Sequence, residues 1–280
     1  MLQMYGYKKF LIAITVLALT ASLGIYSYSV IASNRAVSEL KSFEADLLQK
    51  EKDSKKIEKK TFGFSVKEKP IDGYEIGNGP HTLLLIGSVH GNEMGSTYLL
   101  ERFVEEIKAD PDIISRTKKL VIIPVANPDG FYDRIDKLNA NNVNLDLNFA
   151  TTDWQEYGLR GDWAGPEPFS EPESRVLKQV IQEYKPDAMI SFHARGSFVS
   201  PEVTNTPSEL GKWYAERTGY IYDDDIEEWN FAGTSTRWFV ETTGKAVITV
   251  ELTKYLESDW EINKEALLEL VSSKNPLPSS

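Results

Sequence analysis

The sequence predicts an α/β domain: a mixed, largely parallel sheet sandwiched by helices and preceded by one transmembrane helix. Three observations lead there. Four apolar runs, at residues 82–89 (TLLLIGSV), 119–126 (KLVIIPVA), 188–192 and 245–252 (KAVITVEL), have the length and composition of strands buried on both faces. Segments with helical apolar spacing lie between and after them, the pattern of a sheet covered by helices. Near the N-terminus, residues 10–32 form a run of 23 without a charge.

That run comes first in the chain and is long enough to cross a hydrocarbon core as a helix. Lys8 and Lys9 precede it, and Tyr5, Tyr7, Tyr26 and Tyr28 lie near its ends, where amphipathic rings favour the interface. The run is longer than the apolar core of a cleaved signal peptide and lacks a small-residue cleavage site. The expectation is an uncleaved signal anchor at 10–32, with residues 1–9 cytoplasmic and the rest of the chain outside the cytoplasm. Residues 33–60 are polar and end in EKDSKKIEKK, a charged spacer. Residues 61–275 then form the folded domain.

Within it, the 82–89 strand follows Gly79-Pro80, a turn signal. Residues 96–108 space Tyr98, Leu99, Phe103, Val104 and Ile107 as one helical face. The 119–126 strand stops at Asn127-Pro128-Asp129-Gly130. Residues 172–184 begin as a helix should, with Ser170, Glu171, Pro172 and Glu173 as cap, proline and early acids. The 188–192 strand, a helix at 208–218, the 245–252 strand and a helix at 260–271 complete the series.

Charge and composition narrow the chemistry. The 280 residues carry 31 Lys and Arg against 42 Asp and Glu, a net charge of −11, and nothing so acidic is drawn to a nucleic-acid backbone. No cysteine is present, which excludes a disulfide framework, a thiol nucleophile and cysteine-ligated metals. Only three histidines remain: His81, His90 and His193.

Two of them fall at predicted strand ends, where sites of α/β folds gather. His90 and Glu93 stand just past the first strand, and His193 ends the third. Two imidazoles and a carboxylate are one known donor set of a catalytic zinc. Glu251 lies inside the apolar run Val247-Ile248-Thr249-Val250-Glu251-Leu252, where a carboxylate is costly unless paired, protonated or beside a metal. Taken singly, each has a structural alternative: a hydrogen-bonded histidine, or half of a buried ion pair. Their combination favours a metal site with Glu251 as general base. His81 precedes its strand, at the opposite end, and reads as structural.

These motifs resemble those of the zinc carboxypeptidase family, its bacterial murein peptide amidases above all. Gly87-Ser88-Val89-His90-Gly91-Asn92-Glu93 is similar to the first metal motif, and Val125-Ala126-Asn127-Pro128-Asp129-Gly130 to the following strand and turn. Asn139-Ala140-Asn141-Asn142-Val143-Asn144-Leu145-Asp146-Leu147-Asn148-Phe149 is similar to the substrate-binding segment, and Ser191-Phe192-His193 to the third metal motif. Ile248-Thr249-Val250-Glu251 resembles the segment with the catalytic glutamate. The resemblance implies one zinc ion on His90, Glu93 and His193, and a zinc-activated water with Glu251 as base. Lys137 aligns with an arginine that stabilises the oxyanion.

The substrate segment departs from the family's Gly-Val-Asp-Leu-Asn-Arg-Asn-Phe. Asn144 replaces the aspartate that orients the first zinc histidine. Asp146-Leu147 replaces the Asn-Arg pair that grips a terminal carboxylate. Trp229 or a neighbour stands where the family carries a tyrosine near the leaving group. Asp146 would suit a cationic group, and Arg195 or Arg134 a carboxylate from a new direction. The resemblance and the predicted anchor together imply a membrane-bound metallopeptidase hydrolysing an amide bond of peptides, with cell-wall muropeptides as the nearest substrate. The alternatives are a deacylase of amino-acid conjugates and a catalytically silent peptide-binding module.

Overall fold

The structure is a computed structural model. It describes residues 56–277 except 135, 159, 202–207, 225–231 and 276, together with isolated positions between 35 and 45. The chain divides into two units, Met1–Lys52 and Asp53–Ser280. In the first, Arg35, Ser38, Lys41, Ser42 and Ala45 are helical and exposed. The anchor expected at 10–32 and the segment 1–9 lie outside the described residues. Among the described residues no helix is long and apolar enough to cross a membrane.

The second unit opens with two strands, β1 (Ile57–Phe64) and β2 (Pro70–Ile76). β1 begins inside the charged stretch read as spacer, and its sequence IEKKTFGF shows why. It is an edge strand whose Glu58 and Lys59 are exposed, so it looks like a charge run. Three further strands come from the predicted apolar runs: β3 (His81–Ile86), β4 (Lys118–Ile123) and β5 (Ala188–Ala194). Two short strands follow, β6 (Phe198–Ser200) and β7 (Ile221–Tyr222), and then β8 (Ala246–Leu252) from the last apolar run. The order across the single sheet is β1-β2-β4-β3-β5-β8-β6-β7. Parallel ladders join β3 to β4 and β5, β5 to β8, and β6 to β7. The outer pairs β1/β2, β2/β4 and β6/β8 are antiparallel, so the sheet is mixed.

Helices α1 (Met94–Ala109), α2 (Pro172–Tyr184), α3 (Glu209–Thr218), α4 (Ser235–Thr243) and α5 (Trp260–Ser272) cover both faces. Their ends carry the expected chemistry. The Ser208 side chain accepts the Gly211 N–H to start α3, and Thr234 accepts the Arg237 N–H to start α4. Gly219 and Gly244 close those helices at φ 71 and 66, where a side chain would strain the backbone.

Strand alternation divides the core in two. Leu83, Leu85, Ile190 and Phe192 pack against α1, α3 and α5, through Leu99, Phe103, Trp213, Tyr214 and Leu267. Leu84, Ile86, Val121 and Met189 pack on the other face, against Val176, Leu177, Trp238 and Phe239 of α2 and α4. Phe103 is fully buried. Phe103→Ala is expected to lower stability by about 3–5 kcal/mol through lost burial and a residual cavity. Denaturant unfolding of the two proteins at equal zinc measures it, and a shift below about 1 kcal/mol would mean that the helix repacks.

One topological consequence positions the site. β3 leads through α1 to β4 on one side, while β5 lies on its other side and is reached through α2. α1 and α2 occupy opposite faces. The chain leaving β3 turns toward β4 and the chain leaving β5 turns the other way across the sheet, toward β6, so the strand order reverses between β3 and β5 and a crevice opens at their carboxyl ends.

Candidate metal centre

The chain leaves β3 through Gly87, Ser88, Val89, His90, Gly91, Asn92 and Glu93 before α1 begins. This connection is tightly held. The Ala126 and Asn127 amides donate to the Gly87 and Ser88 carbonyls at 3.1 and 3.0 Å. Ser88 N–H donates to Ser96 Oγ at 2.8 Å, and Ser88 Oγ lies 2.7 Å from Thr97 Oγ1. Gly91 is required by close approach, since a Cβ there would sit 2.2 Å from the Gly130 carbonyl carbon. A backbone bond from Glu93 N–H to the His90 carbonyl, 3.1 Å, bends the loop so that both side chains turn to one side. Glu93 directly precedes α1, where the positive end of the helix dipole favours a carboxylate.

Both imidazoles aim Nδ1 at that carboxylate. His90 Nδ1 lies 2.8 Å from Glu93 Oε1, and His193 Nδ1 lies 3.1 Å from Glu93 Oε2. The ring centroids are 5.0 Å apart. Each Nε2 has its own partner: Asn144 Oδ1 at 3.0 Å for His90, and Ser191 Oγ at 3.0 Å for His193. An amide oxygen cannot donate, so His90 carries its proton on Nε2 and leaves Nδ1 for the centre. All three side chains are buried. Burial alone would raise the Glu93 carboxyl, but the two imidazoles outweigh it and hold the group well down, at about 2. Burial works against a charged His193, yet Asp146 and Glu93 keep its ring basic.

Asp146 joins from a 3-10 turn, Leu145–Leu147. Its carboxylate and one nitrogen each of His90 and His193 lie within 4.8 Å of one another, a group able to hold a metal ion. Buried imidazoles and carboxylates facing one point are zinc donors. Glu251 stands across from them. β5 and β8 run parallel with His193 beside Glu251 in register. Glu251 Oε2 is buried with no hydrogen-bond partner. Burial pushes its carboxyl up to about 7 despite the nearby imidazoles.

The remaining sequence candidates are placed as follows. Asn144 stands behind His90, as the orienting residue should. Lys137 ion-pairs with Asp162. Leu147 is buried: a Cβ on Gly158 would meet its Cδ1 at 2.7 Å, and its carbonyl accepts from Trp154 Nε1 at 2.9 Å. Position 147 thus anchors the following loop and offers no cation. Arg195 is exposed, with its guanidinium 5.7 Å from the Tyr255 ring centroid. Trp229 lies outside the described residues, and so does the Arg134 side chain. His81 sits at the other end of β3, 3.8 Å from Asp187. Three placements were not foreseen: Asp146, expected to face a cationic substrate group, lies with the two histidines in the group able to hold a metal, and Ser191 and Asp162 stand behind them. Ser191 carries a signal in hindsight, because it lies two residues before His193 on the same strand face. Asp162 carries none, being a loop aspartate 18 residues beyond Asn144.

Comparison with known proteins places the chain among relatives as follows. Murein peptide amidase A of Escherichia coli (strain K12) is 28% identical over 145 residues, which span 48% of this chain and 56% of that enzyme. Murein peptide amidase A of Vibrio campbellii is 27% identical over 181 residues, covering 60% of this chain and 68% of that one. Among solved structures, murein-tripeptide amidase MpaA from Escherichia coli O157 superposes with a TM-score of 0.63 at 23% identity, over 79% of this chain and 93% of that one. Bovine thrombin-activatable fibrinolysis inhibitor gives 0.66 at 18% identity, over 84% and 94%. At such identities the structures establish the fold, a carboxypeptidase-like α/β sheet. The family model described as zinc carboxypeptidase matches residues 45–266, a stretch that contains both histidines, Glu93 and Glu251, and the chain belongs to that family.

Proposed function

We propose that this protein is a zinc-dependent hydrolase that cleaves an amide bond of peptides, with peptidoglycan stem peptides as the substrate class. One observation carries the reading. Two imidazoles and the Glu93 carboxylate converge on one point, and the unpaired oxygen of Glu251 stands on the neighbouring strand. A structural ion pair has no use for a fourth group of that kind. His90, Glu93 and His193 would hold the ion. When bound, zinc supplies Lewis-acid polarisation of the scissile carbonyl and the attacking water. Glu251 accepts the proton of that water and delivers it to the leaving amine.

The substrate class rests on similarity to murein peptide amidases and on context. Residues 10–32 have the composition of a signal anchor, which would tether the domain to the membrane on its outer side, facing the wall. Leu147 refines the reading. Its side chain is buried beneath Gly158, so the substrate segment presents no cation to a terminal carboxylate. This favours a bond whose recognition does not depend on that clamp.

The test uses the full chain in mild detergent with a diaminopimelate-containing muropeptide, with and without a chelator, and reads products by mass spectrometry. The expected result is chelator-sensitive cleavage within the stem. Loss of a single terminal residue would show that another group grips the carboxylate. No product from a sample of verified zinc content would overturn the substrate assignment.

A further inference from the structure

A zinc-binding histidine ordinarily gives its second N–H to a carboxylate or carbonyl, which fixes the ring and raises its basicity. Here the acceptor on His90 is the neutral amide of Asn144. The amide does not end the chain of contacts. Its orientation is set by three partners. Oδ1 accepts from His90 Nε2 at 3.0 Å and from the Asp146 amide at 3.1 Å. Nδ2 donates to Asp162 Oδ2 at 3.2 Å. A flipped amide would set its NH2 against two donors, so the order His90, Asn144, Asp162 is chemically determined.

Asp162 is itself held in place. The Asn144 amide donates to the Trp163 carbonyl at 2.8 Å, and Gly158 N–H donates to the Asp162 carbonyl at 2.8 Å. An antiparallel bridge joins Tyr157 and Trp163 on either side of the turn. The side chain is about one-third exposed and also pairs with Lys137.

We infer that Asp162 is a positioning residue for the metal centre: it supplies, one amide further out, the negative charge that position 144 lacks, and polarises His90 through the Asn144 side chain. A hydrogen-bonded chain transmits polarisation, because an amide whose N–H donates to an anion becomes a stronger acceptor at its oxygen. The inference rests on zinc at His90 and is independent of the substrate.

The test moves the charge instead of merely deleting it. Zinc affinity is measured by chelator competition on the full chain for wild type, Asp162→Asn, and the double variant Asn144→Asp/Asp162→Asn. Zinc-free thermal unfolding is recorded alongside. Loss of a directly bonded outer partner costs roughly 10–100-fold in metal affinity, so one relayed through an amide should cost about three- to tenfold. Asp162→Asn is expected to weaken zinc by that factor with its zinc-free unfolding unchanged, and the double variant to recover the affinity. Unaltered affinity in Asp162→Asn would overturn the inference. A loss that the double variant does not restore would overturn it too, because the loop would then act by packing alone. Neither result depends on turnover, so a wrong substrate assignment leaves the test intact.

Discussion

Glu251→Gln is expected to lower kcat/KM by roughly 10²–10⁴-fold, the range for loss of a positioned general acid–base group, while leaving zinc bound. The substitution preserves shape and removes only the ability to take a proton. Glu251 makes no hydrogen bond through the buried Oε2, so no partner is lost at that atom. The folded protein should be as stable as wild type or more so, because an amide buried there is not penalised as a carboxylate is. Steady-state kinetics with zinc content measured on the same sample decides it. Turnover within about tenfold of wild type would remove Glu251 from the chemistry. The variant also separates an enzyme from a binding module: an enzyme loses turnover with zinc retained, whereas a module has no turnover to lose.

His193→Ala should have the second large effect. His193 donates from β5, is buried, and shares the Glu93 carboxylate with His90. Its removal takes away one of the two imidazole donors and leaves Glu93 with a single partner. Zinc affinity should fall by more than roughly 100-fold, the upper range for losing even an outer-shell partner. Cleavage should vanish at stoichiometric zinc. Chelator competition measures the first effect and the muropeptide assay the second. Retention of wild-type affinity would mean that Asp146 replaces the ring in the donor set. The contrast between the two variants is diagnostic, since one should lose turnover alone and the other should lose the ion as well.

Much of this architecture is legible in the chain because buried parallel strands and capped helices leave strong local signatures. TLLLIGSV and KAVITVEL could hardly be anything else. The parts that escape are those whose conformation is set from outside. β1 carries three consecutive charged residues, Glu58, Lys59 and Lys60, at an edge, and β6 and β7 are three and two residues long, too short for any period to show. α4, STRWFVETT, is rich in β-branched residues and is helical through its Thr234 cap and its packing by Trp238 and Phe239. The site divides similarly. His90, Glu93, His193 and Glu251 announce themselves by residue type at strand ends. The burial of Leu147 and the reach of Asp162 to Asn144 depend on how the 154–163 loop folds back, and no local spacing encodes that.

The pairing of β5 with β8 has a consequence of another kind. Side chains on a strand alternate between faces, so a slip of one residue would turn Glu251 to the far side of the sheet and bring Val250 or Leu252 to the crevice. Under the proposed activity, hydrolysis would be a gauge of strand alignment, accurate to a single residue. Substitutions at Ile248 or Val250, which are buried in the core on the face away from Glu251, are expected to silence the proposed activity while secondary-structure content and compactness stay the same, so that a catalytic assay would detect the fault before any spectroscopic one.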